Sequence, residues 1–486
     1  MTSGQADDSI DELIDERIVE TTCRSGALRG LDHDATQEFR GIRFARADRF
    51  AAPVDIESWD GMHDGLGFGA QAPQVGGALE QMLGGDELPS DDDCLFLNVW
   101  TPGCDDRRRP VLFWIHGGAF LTGTGAMPWY DGNALAERGD VVVVSINYRL
   151  GALGFLGTRN LGTLDMISAL RWVQRNIADF GGDPGDVTAF GESAGGAAVV
   201  SLLAAPAADG LFHKAWALSP SLLQFRSTST ADEMEQIYLD LVGADTVDEL
   251  TAASLDRLLD AQARFPADTG GMQDFTPTHG TNVFPEPILR VAAHDPRPLV
   301  IGTTRDEMLL FTAFDPSRSE WGDDDVRTQF ERRFADPEAA IDAYRRHRPD
   351  ANASQLVSAM QTDEVFRWPA QRLATARADD GRPTWTYEFH QSSTAFDGVL
   401  GSCHGLDLPF AFHNLTRQGA EMFTGGGDTL EAIADDFSGA IISFARTGAP
   451  GWDAYDTSTR TTRIIDADPR TVDDPEPDLR HLWATR

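Results

Sequence analysis

Apolar runs of four to seven residues recur through the first 220 positions and alternate with stretches of helical periodicity. "LFLNVW" (95 to 100), "VLFWI" (111 to 115), "VVVVSIN" (141 to 147), "VTAF" (187 to 190) and "AWALS" (215 to 219) are rich in β-branched or aromatic residues and read as strands. Between the third and fourth lies "LDMISALRWVQRNIADF" (164 to 180), whose apolar residues return at helical spacing until "GGDPGD" stops it. Strands that alternate with helices predict an α/β fold: a central, mostly parallel sheet flanked by helices.

Beyond residue 220 the pattern changes. Residues 228 to 265 read as helices rich in Asp, Glu and Leu, and a second helical block fills 320 to 380. Strand patterns return only at "PLVIG" (298 to 302) and "TWTYEF" (384 to 389). No low-complexity linker or internal repeat divides the chain, so the expectation is one domain over 1 to 486. Helical insertions at about 221 to 295 and 320 to 380 would pack over one end of the sheet, and residues 1 to 16 would form an acidic, flexible N-terminus.

Composition narrows the class. The 486 residues are 41% hydrophobic and 24% charged, which is ample for a packed core, and no run of about 18 apolar residues is present to span a membrane. "MTSGQADDSIDELIDER" lacks the basic start and apolar stretch of a secretory signal, so the expected location is cytoplasmic. Cys23, Cys94, Cys104 and Cys403 have neither metal-ligand spacing nor the density of a disulfide framework, and are expected to be reduced.

The net charge of −37 argues against nucleic acid or an anionic membrane as partner, since either would be repelled. Lys214 is the only lysine, so nearly every cation is an arginine. Two readings of that bias stand: a GC-rich genome that encodes Arg in place of Lys, or adaptation to high salt, where dense surface carboxylates keep the chain soluble.

Candidate chemistry centres on "TAFGESAGGAA" (188 to 198). A bare GxSxG is weak, but here "VTAF" supplies a strand and "AGGAAVVSLLAA" a helix, the strand–turn–helix context that projects a nucleophilic serine towards a helix N-terminus. Ser193 is therefore the candidate nucleophile. Upstream, "VLFWIHGGAFLTG" (111 to 123) offers a glycine-rich loop after a strand, able to supply backbone N–H donors to a tetrahedral oxyanion.

"HGGAF", "NYRLGALGFL" and "FGGDPGDVTAFGESAGG", in this order and spacing, resemble the type-B carboxylesterase family of the α/β-hydrolase fold, bacterial para-nitrobenzyl esterases in particular. The similarity takes in "SDDDCLFLNVWTP" and "GLFHKAWALS" and fades by about residue 415. It implies a serine carboxylic ester hydrolase acting through an acyl-enzyme on short to medium chain esters, with no cofactor and a small-molecule ester as its partner. An amidase or carbamate hydrolase could use the same triad, and the family also holds catalytically silent binding modules.

The resemblance implies the site residues. The pattern "GTxxDE" matches "GTTRDE" and gives Glu307 as the triad acid, with Asp306 as the alternative; "GSCHGLDLPFAF" gives His404 as the base. Gly118, Ala119 and Ala194 would be the oxyanion-hole donors. Ser219 aligns with a serine that supports the triad acid, or else caps the next turn. His347, in "YRRHRPD", reads as a solvated helix residue.

Two departures matter. Cys94 has no upstream cysteine nearer than Cys23 to form the disulfide of secreted relatives, in line with a cytoplasmic protein. "LEQMLGGDELP" (79 to 89) lacks the tryptophan with which choline esterases hold a quaternary ammonium, which argues against a choline ester specialist. Phe120, Trp129, Phe225, Phe311 and Phe410 are candidate pocket walls or core residues alike.

Overall fold

Val111, Phe113 and Ile115 pack into one hydrophobic cluster while the intervening Leu112 and Trp114 pack into a second, so the strand that carries them is buried on both faces. The same division runs through the neighbouring strand, where Val142, Val144 and Ile146 face one way and Val143 the other. In this computed structural model, which describes residues 17–76, 88–265 and 274–486, these strands are the centre of one large sheet with helices on both sides. The acidic residues 1 to 16 and most of the 79 to 89 stretch lie outside the described residues.

The sheet is formed by β1 (Ile18–Cys23), β2 (Gly26–Asp32), β3 (Gln37–Arg43), β4 (Phe96–Thr101), β5 (Arg109–Ile115), β6 (Val142–Ile146), β7 (Gly182–Glu192), β8 (Lys214–Leu218), β9 (Leu299–Thr304), β10 (Thr384–Phe389), β11 (Thr461–Ile465) and β12 (Arg470–Asp473). Their spatial order is β1-β2-β3-β4-β6-β5-β7-β8-β9-β10-β11-β12, with the short segment Met62–Asp64 beside β2. From β6 to β11 every neighbour is parallel; β1 to β4 and the β11–β12 hairpin add antiparallel edges. The seven strand expectations are borne out, with boundaries shifted by a residue or more at most of them. The N-terminal antiparallel strands and the C-terminal hairpin were not foreseen.

Parallel strands send all their carboxyl ends to one edge of the sheet, which is where an α/β fold collects its chemistry. Trp114 shows how firmly that edge is founded. It is fully buried, with ring centroids 4.7 Å from Phe190, 4.8 Å from Phe412 and 4.9 Å from Tyr130. Truncation to alanine there should cost about 3–5 kcal/mol by the usual aromatic-to-alanine scale. Nearby, Arg149 of "NYRLG" reaches the fully buried Asp165 through Nε at 2.8 Å and Nη2 at 2.7 Å, a two-pronged pair that leaves neither charge unmatched.

The middle of the chain is helical at Thr228–Val242, Val247–Leu250 and Leu255–Ala263. The second block holds Asp323–Glu331, Pro337–His347, Ala353–Thr362, a π-helical turn Asp363–Arg367, and Trp368–Asp379. All four cysteines are free thiols, Cys94 among them fully buried. Among the described residues no helix is long and apolar enough to cross a membrane.

Candidate active site

Ser193 follows the last residue of β7 and precedes the helix Ala194–Leu202, the position that the strand–turn–helix pattern required. Its backbone is strained, at φ 57° and ψ −120°, a region that a residue with a Cβ rarely enters. The strain is held by both sides of the turn. Its N–H donates to the Leu218 carbonyl of β8 at 2.9 Å, and its carbonyl accepts from Ala197 at 2.9 Å. The helix can approach this closely only because residue 195 is glycine: a Cβ there would stand 2.1 Å from the Ile115 carbonyl oxygen.

The loop after β5 runs alongside. A Cβ on Gly117 would come within 3.2 Å of Ser193 Cβ. Gly118 has φ 103° and Ala119 φ 55°, and the Gly118 carbonyl accepts from the N–H groups of Leu121 and Thr122 at 2.9 Å each. This tight turn leaves the N–H groups of Gly118, Ala119 and Ala194 without an acceptor among the described residues. The three expected oxyanion donors thus occur on two elements that meet at Ser193. His116, at the root of the loop, is stacked on Tyr148 at 4.4 Å; burial drops its pKa to about 4, so it is a neutral structural ring.

Glu307 sits in the loop after β9, fully buried. One carboxylate oxygen accepts from the Thr304 N–H at 2.8 Å and the other lies 2.6 Å from Nδ1 of His404. Asp306 points elsewhere: its Oδ2 accepts from the Ser402 N–H at 3.1 Å, and its own N–H donates to the Ser402 carbonyl at 2.9 Å. The second of the two adjacent acids is therefore the one paired with the imidazole. Asp306 ties its loop to the loop that carries His404.

The opposite nitrogen of His404 gives a result that the sequence did not suggest. Nε2 stands 3.0 Å from Oε1 of Glu192, and among the described residues no hydrogen bond joins Ser193 Oγ to His404. The Glu192 contact lacks hydrogen-bond alignment and is electrostatic. Burial opposes a charge on His404, yet the carboxylates of Glu192 and Glu307 outweigh it and raise the pKa to about 9. Burial likewise lifts Glu192, to about 7, against the attraction of His404. Phe366 and Phe311 flank the imidazole with centroids at 4.7 and 5.5 Å.

Three residues of this site escaped sequence reasoning: Glu192, Phe366 and Asp407. Asp407 is fully buried three residues after His404, and burial and the nearby Glu192 and Glu307 keep its carboxyl well above the usual range. A glutamate or aspartate inside an apolar run is the only signal that "FGESAGG" and "HGLDLPF" carried. Two expectations need correction. The Ser219 hydroxyl is buried without a hydrogen-bond partner among the described residues, so the Thr304 N–H, not Ser219, supports Glu307. His347 is not simply solvated: its Nε2 lies 2.6 Å from Asp478, because the C-terminal helix packs back onto its own.

Of the expected aromatic walls, Phe311 alone has a ring contact with His404, at 55% exposure. Trp129 stacks on Phe423, Phe120 meets Phe155 edge-on, and Phe410 packs on Phe389, all in the core.

Comparison with known proteins gives a consistent result. The family model described as "Carboxylesterase family" matches residues 15–474. The para-nitrobenzyl esterase of Bacillus subtilis (strain 168) is 35% identical over 94% of this chain and 97% of its own length. The phenmedipham hydrolase of Pseudarthrobacter oxydans is 35% identical over 91% of this chain and 92% of its own. Among solved structures, the Geobacillus stearothermophilus carboxylesterase at pH 6.2 superimposes with a TM-score of 0.83 at 37% identity, covering 96% of this chain and 99% of that one.

Proposed function

The chain belongs to the carboxylesterase family, and from that premise we propose how its residues divide the hydrolysis of a carboxylic ester. The protein is a carboxylic ester hydrolase of the α/β-hydrolase fold. In our reading Ser193 is the nucleophile, His404 the base, Glu307 the residue that orients it, and Gly118, Ala119 and Ala194 the donors to the oxyanion. The observation that carries this is the strained serine between a strand end and a helix N-terminus, whose preceding residue, Glu192, meets an imidazole held by a buried carboxylate.

The chemistry follows from the geometry. When the imidazolium of His404, favoured by the nearby Glu192 carboxylate, loses its Nε2 proton, that nitrogen is freed to accept the Ser193 Oγ proton as the oxygen attacks the ester carbonyl. The carbonyl oxygen takes up the negative charge opposite the three idle N–H groups, which need no rearrangement to receive it. Collapse expels the alcohol, which takes the proton from His404, and leaves an acyl group on Ser193. Water then attacks that acyl group with the same base, releasing the acid and restoring the serine. Glu307 stabilises the imidazolium in both steps.

Phe311 and Phe366 offer an apolar wall beside His404, which favours short to medium acyl chains over charged ones. We further read residues 1 to 486 as one hydrolase domain whose dense negative charge disfavours anionic macromolecular partners. The test is hydrolysis of para-nitrophenyl acetate, butyrate and octanoate by the wild type and by Ser193→Ala. The proposal expects a fall of about 10⁴-fold or more on every ester. Turnover by the variant at the wild-type rate would overturn it.

A further inference from the structure

Between the helices Ala353–Thr362 and Trp368–Asp379 the chain widens into the π-helical turn Asp363–Arg367. Such turns are rare and concentrate at functional sites. Here it serves both partners of the His404–Glu307 pair. Phe366 lies against the His404 ring, and the next residue, Arg367, reaches the loop of Glu307.

Arg367 is 7% exposed and surrounded by acids. Its Nη1 pairs with Asp363 and lies 3.9 Å from Glu476, and its Nε lies 3.6 Å from Glu388. These carboxylates hold the guanidinium charged and fixed. The remaining nitrogen, Nη2, donates to the carbonyls of Arg305 at 2.7 Å and Thr304 at 3.4 Å. Thr304 is also the residue whose N–H holds Glu307. One side of the Thr304 backbone is thus gripped by Arg367 while the other grips the carboxylate that meets His404.

The anchor extends to the end of the chain. Trp483, in the helix Pro477–Ala484, donates to the Tyr344 hydroxyl at 2.8 Å, and that hydroxyl donates to Asp363 at 2.5 Å. Glu476, just before the same helix, also receives Arg348 at 2.7 Å, and Arg348 lies 3.7 Å from Asp306. A lysine at position 367 could match the charge, but not a fork that spans carboxylates on one side and two carbonyls on the other.

We infer that Arg367 is a positioning residue of the triad, which fixes the Thr304–Glu307 loop and through it the orientation of His404. The inference rests on the triad proposed above. It makes Glu476, and Trp483 through Tyr344 and Asp363, part of the frame that holds Arg367, although neither touches the site.

The test compares Arg367→Lys with Arg480→Lys. Arg480 pairs with Asp474 at 2.8 Å through two nitrogens in the same C-terminal region and, among the described residues, forms no hydrogen bond or ion pair with Arg367 or residues 304 to 307. Each protein is first titrated with diethyl para-nitrophenyl phosphate and the label mapped by mass spectrometry, which counts folded sites and identifies the nucleophile. Then kcat, KM and the pH profile are measured with para-nitrophenyl butyrate. Arg367→Lys should lower kcat by about 10-fold or more while KM changes less than about 3-fold, the signature of lost geometry. Glu192, Glu307 and Asp407 all face His404 and all remain, but a slackened Glu307 holds the imidazolium less well, so the acidic limb should move to lower pH. Arg480→Lys should leave kcat within about 2-fold of the wild type.

Wild-type kcat and pH limb in Arg367→Lys overturn the inference, as does an equal loss in Arg480→Lys. If Arg367→Lys does not fold, Glu476→Gln loosens the same anchor, and an unchanged kcat and pH limb in that variant overturns it equally. A wild-type label away from Ser193 removes the triad itself, whereas a label on Ser193 with unaltered Arg367→Lys kinetics removes the positioning role alone.

Discussion

Nε2 of His404 stands 3.0 Å from Oε1 of Glu192, the residue immediately before Ser193. With Glu307 at 2.6 Å on the other nitrogen, the imidazole is clamped between two carboxylates, and its proton is held more tightly than a general base near neutral pH requires. Activity should therefore be limited on the acidic side by this pair, with Glu192 raised to about 7 by burial and His404 raised to about 9 by the two carboxylates.

Glu192→Gln removes one of the two anions that favour imidazolium. The pKa of His404 should fall, and the acidic limb of kcat/KM should move to lower pH by about one unit or more. A pH–rate profile of the variant on para-nitrophenyl butyrate checks the sign. A limb that stays in place or moves to higher pH would show that Glu192 does not govern the base.

Gly118→Ala should disable the oxyanion loop without touching the triad. At φ 103° a side chain is strained in any case, and its Cβ would fall 2.2 Å from the Thr122 carbonyl oxygen, which must then shift. The expected result is a fall in kcat of about 10²-fold or more with normal folding by circular dichroism. A variant with wild-type kcat would remove this loop from the account.

Ser219→Ala separates burial from function. The hydroxyl is buried without a hydrogen-bond partner among the described residues, so its removal should leave kcat within about 2-fold and stability within about 1 kcal/mol of the wild type. A loss of kcat above 10-fold would restore Ser219 as a support of Glu307 and contradict the geometry described here.

What the sequence revealed and what it withheld divide along physical lines. The central strands were legible because Val111–Ile115 and Val142–Ile146 are buried on both faces and so read as unbroken apolar runs. "IVETTC" of β1 was not: only Val19 and Cys23 of its inward face reach the core, and a threonine stands between them, so the strand leans on backbone pairing to β2. Ser193 was legible because its strand–turn–helix setting marks it locally, whereas Glu307 and His404 followed from the family resemblance of "GTTRDE" and "GSCHGLDLPFAF". Glu192, Asp407 and Arg367 were not legible, since what makes them significant is burial against residues distant in sequence, His404 for Glu192 and Glu192 and Glu307 for Asp407, or a π-helical turn that no periodicity announces.

Salt should raise thermal stability. With a net charge of −37 the folded chain repels itself, and about 1 M KCl shortens the screening length to about 3 Å. A melting series from 0.05 to 1 M KCl should show Tm rising by several degrees if the acidic surface is a salt adaptation. A flat or falling Tm would assign the arginine bias to genome composition.

The most direct test of the central claim is the burst of para-nitrophenol on mixing enzyme with para-nitrophenyl butyrate, combined with mapping of the acyl group by mass spectrometry after an acid quench. The expected result is one para-nitrophenol per enzyme in the burst, an acyl adduct on the peptide containing Ser193, and neither in Ser193→Ala. A burst that persists in the variant, or an adduct on any other residue, would contradict it.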